Sequence, residues 1–390
     1  MIRVGFVLNL SGNGWLGGIN YFRNLLKAVE ALQSTAIKPV LFVGKDTDSR
    51  LLDSFPGFEI VRTSALDSKT PLWLIRGVLA KLLKRDVVLD HIIAQAGIDL
   101  LSHLTGTVPN VNIPSIGWIP DFQHIHYPEF CDEPEIKKRN NDLQRMIQFN
   151  DAIILSSRDA QKDFINLLSG KKKKSYVLNF AIAKNDSESE SVGLEALTEL
   201  YQINSKYFYL PNQFWAHKNH RVVIDALAIL KKQGKQVFVV SSGNPSDHRN
   251  PSYFPGLMKY AHEKEVLDCF KVLGVVPFEH ILPLMSHAIA VINPSLFEGW
   301  STTVEEAKAL GKKILLSDID VHQEQSPERG SYFNPHEADA LALLMTQTLD
   351  EFDANEEENH RSRAIGTHQE QFNQFGKAYE RIVTEVMGCH

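Results

Sequence analysis

What the chain lacks narrows it first. Three cysteines, Cys131, Cys269 and Cys389, are scattered over 390 residues with no CxxC pair. That argues against a disulfide-built scaffold or a cysteine zinc site, and fits a reducing, cytoplasmic compartment. No apolar run approaches the ~20 residues that span a bilayer. Met1 to Leu10 lacks the basic start and small-residue cleavage site of a signal peptide, so it reads as a first strand. Surplus positive charge is missing as well. A net charge of −6 argues against nucleic acid as a partner. What remains, 43% hydrophobic and 23% charged residues, is the composition of a globular protein too long for one ordinary core. Two domains are expected.

Strand-length apolar runs alternate with helical patterns along the chain. In the first half the strands are Ile2–Leu8, Val40–Val43, Glu59–Val61, Leu100–Leu104, Ser115–Ile119 and Ala152–Ser156. Helical spacing appears at Phe22, Leu25, Leu26 and Val29, then over Pro71–Leu83, Val87–Ala96, Pro134–Phe149 and Arg158–Leu168. A basic run, Lys171–Lys174, and an aperiodic Ser/Glu-rich stretch, Asn185–Ser191, mark a boundary. The alternation then restarts. Strands are Tyr207–Leu210, Gln236–Ser241, Lys271–Leu273, Ala288–Ile292 and Lys313–Ser317; helices are Arg221–Lys232, Pro255–Glu265, Glu279–Met285 and Ala338–Thr348. The pattern predicts α/β domains with parallel, doubly wound sheets over residues 1–184 and 185–369. A last helix near Glu370–Met387 follows an acidic connection, Asp350–Glu358, and crosses back to the first domain.

One stretch carries the chemistry: Asn293-Pro294-Ser295-Leu296-Phe297-Glu298-Gly299-Trp300-Ser301-Thr302-Thr303-Val304-Glu305-Glu306-Ala307. It runs from the Ala288 strand into a helix over Val304–Gly311. Thr302 with Glu305, or Thr303 with Glu306, has capping-box spacing. The N–H groups of Gly299 to Thr303 and the positive end of the helix dipole suit a phosphate or diphosphate. A carboxylate repels phosphate, so Glu298 must serve another group, such as the hydroxyls of a sugar.

Glu298-x7-Glu306 in this setting resembles the signature of the retaining GT-B glycosyltransferases of family four, the glycosyl transferases group 1. Gly17-Gly18 after the first strand, Lys218-Asn219-His220, Leu273-Gly274-x-Val276 and Glu324 fall in that family's order. The resemblance implies two Rossmann-like domains facing a cleft, with the nucleoside-diphosphate sugar on the second and the acceptor mainly on the first. It implies no metal and no further cofactor. Glu298 would bind donor-sugar hydroxyls near the reacting carbon, Glu306 the ribose hydroxyls, and Gly299, Trp300, Ser301, Thr302 and Thr303 the diphosphate. Lys218 would neutralise the leaving group. Gly17 and Gly18 would let backbone N–H groups approach the phosphate. Gly243, Asn244, Val276 and Phe278 would hold base and ribose.

Two departures bear on mechanism. Many members carry His-Asp where this chain has Pro120-Asp121, in Ile119-Pro120-Asp121-Phe122-Gln123-His124-Ile125-His126-Tyr127-Pro128-Glu129. His124 or His126 would replace that histidine, with His124 favoured as nearer the strand end, and Asp121, Gln123 and His126 on the acceptor side. Where an arginine is frequent before Lys218, this chain offers Asn212-Gln213, with His217 beside the lysine. The acceptor class implied is a glycan or lipid-linked glycan of bacterial surface polysaccharide, of O-antigen or capsule type. A same-fold epimerase, a sugar phosphorylase and a non-catalytic partner subunit are the rival classes.

Plainer readings stand beside these. Phe22, Trp73, Phe164 and Phe238 read as core, and Asp318-x-Asp320 as a strand end rather than a metal site. Arg76, Lys81, Lys84, Arg85 and Lys38 read as a solvated surface. Yet Pro71–Arg85 is amphipathic and basic, a pattern that suits peripheral contact with the cytoplasmic face of a membrane.

Overall fold

Each apolar run assigned to a strand above becomes one, in one of two all-parallel sheets. The computed structural model describes residues 1–8, 16–53, 55–105, 110–183, 193–247 and 249–388. The Asn185–Ser191 stretch and Cys389 lie outside them. The chain forms two compact units: Met1–His126 with Glu133–Ala183 and Gln371–His390, and Tyr127–Asp132 with Lys184–Glu370.

The first unit runs β1 (Ile2–Val7), α1 (Leu16–Glu30), β2 (Ile37–Gly44), α2 (Ser49–Leu52), β3 (Glu59–Thr63), α3 (Pro71–Leu83), α4 (Val87–Gln95), β4 (Leu100–Leu104), β5 (Ser115–Ile119), α5 (Gln123–His126), α6 (Glu133–Phe149), β6 (Ala152–Leu155), α7 (Arg158–Leu167) and β7 (Lys174–Val177). Its strand order is β3-β2-β1-β4-β5-β6-β7. Phe22, Leu25, Leu26 and Val29, the predicted stripe of α1, are all buried. An apolar face with helical period has this outcome when the helix covers a sheet.

The second unit runs α8 (Leu194–Tyr201), β8 (Phe208–Leu210), α9 (His220–Lys232), β9 (Val239–Ser242), α10 (Tyr253–Glu263), β10 (Phe270–Gly274), α11 (Phe278–His287), β11 (Val291–Asn293), α12 (Thr302–Ala309), β12 (Ile314–Ser317), α13 (Asp320–Gln325), β13 (Gly330–Phe333), α14 (Ala338–Asp350) and the start of α15 (Ala354–Met387), whose residues from Gln371 on belong to the first unit. The order is β10-β9-β8-β11-β12-β13. Register pairs Val291 with Tyr209 and Ile292 with Leu315. The order reverses between β8 and β11. In such sheets the crevice beyond the strands' carboxyl ends at that point is where ligands bind.

Several elements differ from the sequence reading. Strands β7 and β13 were not anticipated; both are sheet edges of four residues with partly exposed patterns, so neither shows the apolar run of a central strand. The acidic connection is largely helix. It opens α15, 34 residues long, with Glu356 and Glu357 in its first turn, where the helix dipole favours them. Glu357 also pairs with Lys312 at 2.7 Å and Arg329 at 2.6 Å. Trp73 is not core but 40% exposed. No helix among the described residues is long and apolar enough to cross a membrane.

Candidate active site

The carboxyl ends of β8, β9, β11 and β12 supply a buried polar network. Asn293, the last residue of β11, is its hub. Its Nδ2 donates to Ser301 Oγ at 2.7 Å, and its Oδ1 accepts from Asn212 Nδ2 at 3.3 Å. Ser295 Oγ lies 2.7 Å from both Asn293 Oδ1 and Glu298 Oε1, and its one proton serves either. Ser317 Oγ donates to Ser295 O at 2.5 Å.

The cap of α12 differs from both expected capping boxes. Ser301 is the N-cap, its hydroxyl accepting from Val304 N at 3.4 Å. Glu305 instead turns inward, to Lys308 at 3.0 Å and Gln325 Nε2 at 2.8 Å. Burial pushes the Glu305 carboxyl up, with Lys308 and Gln325 opposing that shift. Gln325 pairs with both backbone groups of Ser301, accepting from its N–H at 3.1 Å and donating to its carbonyl at 3.0 Å. The loop carrying Glu298 is thereby fixed from two sides before any ligand arrives.

Lys218 reaches this loop from a 3-10 turn, Ala216–Lys218, closed by Asn219 in the left-handed region at φ 53°. Asn219 Nδ2 donates to the carbonyls of Pro294 and Pro335, and Leu296 N donates to His217 O, stitching the turn to the loops after β11 and β13. The result is an ion pair between Lys218 Nζ and Glu298 Oε1 at 2.6 Å. Residues read from sequence as serving phosphate and sugar separately are therefore each other's counter-ion. Burial raises the Glu298 carboxyl, but the charges of Lys218 and His322, with hydrogen bonds from Lys218 and Ser295, outweigh it and hold it below the usual range. His322, fully buried on α13, places Nδ1 2.9 Å from Ser317 O; its Nε2 has no hydrogen-bond partner. Burial pulls the pKa of this imidazole down, with the charge of Glu298 opposing that shift.

Asn212, Gln213, Gly243 and Asn244 are also gathered. Gln213 Oε1 accepts from Asn244 N at 2.8 Å, and Gly243 N donates to Gly274 O at 2.8 Å. At Gly243, φ is +153° and a Cβ would sit 2.3 Å from Asn212 O, so the backbones meet too closely for any side chain. Val276 and Phe278 follow β10, both partly buried. Gly299 and Trp300 line the loop, Thr302 and Thr303 open α12, and Glu306 lies within electrostatic reach of Tyr209 on β8.

In the first unit the candidates are tied locally. Gly17 and Gly18 stand in the first turn of α1 rather than in a loop, and nothing lies within 4 Å of a Cβ built on Gly17. Asp121 Oδ1 accepts from Gln123 N at 3.0 Å and lies 3.6 Å from Arg139. His124 is buried, its Nε2 3.2 Å from Asn140 Oδ1 and its Nδ1 without a hydrogen-bond partner. Burial, then Arg139, pulls its pKa down. His126 is exposed, 2.7 Å from Asp163. The motif divides there. Tyr127–Asp132 belongs to the second unit, where Tyr127 Oη donates to Leu296 O at 3.1 Å and its ring stacks on Phe130.

Sequence reasoning missed Asn293, Ser295, Glu305, Ser317, His322 and Gln325. The one signal was that Asn293 and Ser317 are polar residues ending short apolar strands; the other four carry none. It also missed His103, buried at φ 53° between Tyr21 Oη (2.8 Å) and Ser102 Oγ (2.9 Å). Asp318 accepts from Gln323 and Asp320 opens α13. Among the described residues no three His, Cys, Asp or Glu side chains are grouped as a metal ion would require.

Residues 200–366 match the family described as Glycosyl transferases group 1. Over that region, less than half of the chain, the second unit is similar to the group 1 glycosyl transferases. Every second-unit residue of the site lies within the matched region except Tyr127 and Phe130. The O-antigen chain mannosyltransferase RfbU of Salmonella typhimurium is 27% identical over 168 residues, 41% of this chain and 45% of that protein. The chain thus matches less than half the length of that relative. A glycosyltransferase from Rickettsia africae superposes with a TM-score of 0.68 at 15% identity, covering 99% of this chain and 97% of that one. HepE of Anabaena, in complex with UDP and glucose, does so with a TM-score of 0.68 at 15% identity, over 99% and 100%. At such identity the likeness establishes the fold. It is GT-B, and the matched region lies in its second Rossmann-like unit.

Proposed function

We propose that this chain is a retaining glycosyltransferase that moves a sugar from a nucleoside-diphosphate sugar to a hydroxyl of a glycan or lipid-linked glycan in the cytoplasm. The observation that carries this reading is the largely buried Lys218–Glu298 pair beside the capped N-terminus of α12, at the point where the sheet order reverses. A cation and an array of helix-end N–H groups suit a diphosphate. A carboxylate that takes no part in binding the phosphate suits vicinal sugar hydroxyls. Lys218 balances the charge growing on the departing diphosphate, which is electrostatic catalysis without a metal or added cofactor. Glu306 takes the ribose. The Asn212–Gln213–Gly243–Asn244 cluster, with Val276 and Phe278, takes the base. Gly17 and Gly18 are assigned to the diphosphate, and Asp121, Gln123, His124 and His126 to the acceptor, with His124 favoured over His126 for the chemistry.

Double displacement would need a free nucleophilic carboxylate under the ring. Glu298 is engaged with Lys218, which supports a front-face path instead. The bond from the anomeric carbon to the phosphate oxygen breaks, the acceptor oxygen bonds on the same face, and its proton passes to the departing phosphate. The named relative acts on O-antigen, which supports bacterial surface polysaccharide as the product class.

Titration of the purified protein with UDP, GDP and ADP, followed by assay of the corresponding sugars, tests the reading. Nucleoside diphosphate should be released only when an acceptor is present, with the anomeric configuration of the donor kept in the product. Release without acceptor and an isomerised sugar would identify an epimerase. Absence of nucleotide binding would reduce the chain to a non-catalytic partner.

A further inference from the structure

Helix α3 inverts the usual order of a surface helix. It is 13 residues long and none of them is buried. It is nonetheless well built: Thr70 caps it by accepting from Trp73 N at 3.2 Å, Pro71 fills its first turn, and Lys84 closes it in the left-handed region. Leu74, Ile75, Val78 and Leu82 fall at i, i+1, i+4 and i+8, one stripe of a helix. They are 54%, 52%, 57% and 73% exposed. The stripe does not face outward through slack in the helix. Arg76, on the other side, donates to Asp86 at 2.8 Å and to the carbonyl of Ala65 at 3.0 Å, which locks the rotation.

The charge around the stripe has one sign. Lys69, Arg76, Lys81, Lys84 and Arg85 lie between Ser68 and Arg85 with no carboxylate among them, in a chain of net charge −6. Arg76 and Arg85 are spent on Asp86 and Asp90, and Lys38, grouped with them in the sequence reading, on Glu59. Lys69, Lys81 and Lys84 are exposed, one before the helix and two at its end.

We propose that α3 docks unit one on an anionic phospholipid bilayer, the aliphatic stripe sinking between headgroups and Lys69, Lys81 and Lys84 meeting lipid phosphates. Aliphatic residues rimmed by lysine are the composition of an interfacial helix. Protein interfaces favour aromatics and arginine, and are depleted in lysine. A second copy suits the face poorly. A two-fold contact sets the patch against itself, so lysines would meet lysines with no acid to pair them. The inference is independent of the donor site.

The test is flotation of the full chain with phosphatidylglycerol–phosphatidylcholine vesicles against pure phosphatidylcholine. Binding should require phosphatidylglycerol and fall with salt. Val78→Asn with Leu82→Asn should lower partition by about ten-fold or more. Lys81→Gln with Lys84→Gln should lower it about five-fold or more, since each lysine near an anionic surface contributes comparably. Both pairs should keep the wild-type melting temperature and nucleotide affinity, because the side chains are exposed and remote in sequence from residues 200–366. Should the apolar pair fail to fold, the lysine pair decides alone. Equal binding to both vesicle types, or wild-type partition by the lysine pair, overturns the proposal. So does a wild-type dimer that Leu82→Asn converts to monomer without changing flotation.

Discussion

The two units hold polar groups in opposite ways. In the second, Asn293, Ser295, Ser301, Ser317 and Gln325 form one continuous buried network that ends on the Lys218–Glu298 pair. In the first, Asp121, His124 and His126 are anchored separately, to Arg139, Asn140 and Asp163. A network whose members fix one another cannot change at one position without loss elsewhere. Locally anchored side chains can be exchanged singly. This contrast is what a fixed donor chemistry paired with a variable acceptor would produce.

The largest expected effect breaks the network at its end. Lys218→Ala or Glu298→Ala should lower kcat/KM by about a thousand-fold, the scale of losing a preorganised charge in a desolvated site. Either also strands a buried partner, at a cost of about 3–5 kcal/mol of stability. The double variant Lys218→Met with Glu298→Gln separates the two effects. It should recover the melting temperature lost by the single variants and remain inactive. Activity in the double variant would remove the pair from the reaction.

Legibility followed the same division. The central strands, the α1 face and the Glu298 loop were readable because apolar period and loop chemistry are local properties of sequence. The edge strands β7 and β13 were not, since half-exposed edges carry no apolar run. Gly243 was placed by resemblance, but its reason, the approach to Asn212 O, is a contact between two strand ends 31 residues apart and leaves no local trace. The same holds for Gln325, which caps nothing on its own helix and instead braces Ser301. Glu305 was misread because capping-box spacing is a local rule and Gln325 offers a tertiary partner that overrides it.

Buried histidines extend the comparison to stability. His103 in the first unit and His220 in the second both have pKa values lowered to about 3 by burial, from an ordinary value of 6.5. The unfolded chain therefore binds the extra proton first. The stability these groups contribute is complete above about pH 6.5 and is lost as pH falls toward 3. By about pH 5 each should have cost about 2 kcal/mol. His220→Phe, isosteric enough to keep the stack on Phe214, should flatten this acid branch by one histidine's share when followed by thermal melts across pH. An unchanged slope would mean that the ring is hydrated or paired in solution.

The smallest effect is the most informative about the acceptor side. His124 and His126 are two residues apart on α5, yet only His124 is buried with a nitrogen lacking a protein partner, while His126 faces solvent against Asp163. A buried imidazole with an unpartnered nitrogen is placed to hydrogen-bond a substrate hydroxyl; an exposed one is satisfied by water and aspartate. His124→Ala should then lower kcat/KM by about ten-fold, at the weak end of what a positioned histidine contributes. His126→Ala should stay within about two-fold, the modest scale of an exposed pair. The pH profile discriminates further. Burial and Arg139 lower the His124 pKa, so any limb it controls lies on the acid side of ordinary imidazole and disappears in His124→Ala. Equal, mild losses in both variants would leave the contrast between the units intact, but would move the acceptor contact from α5 to backbone or to Asp121.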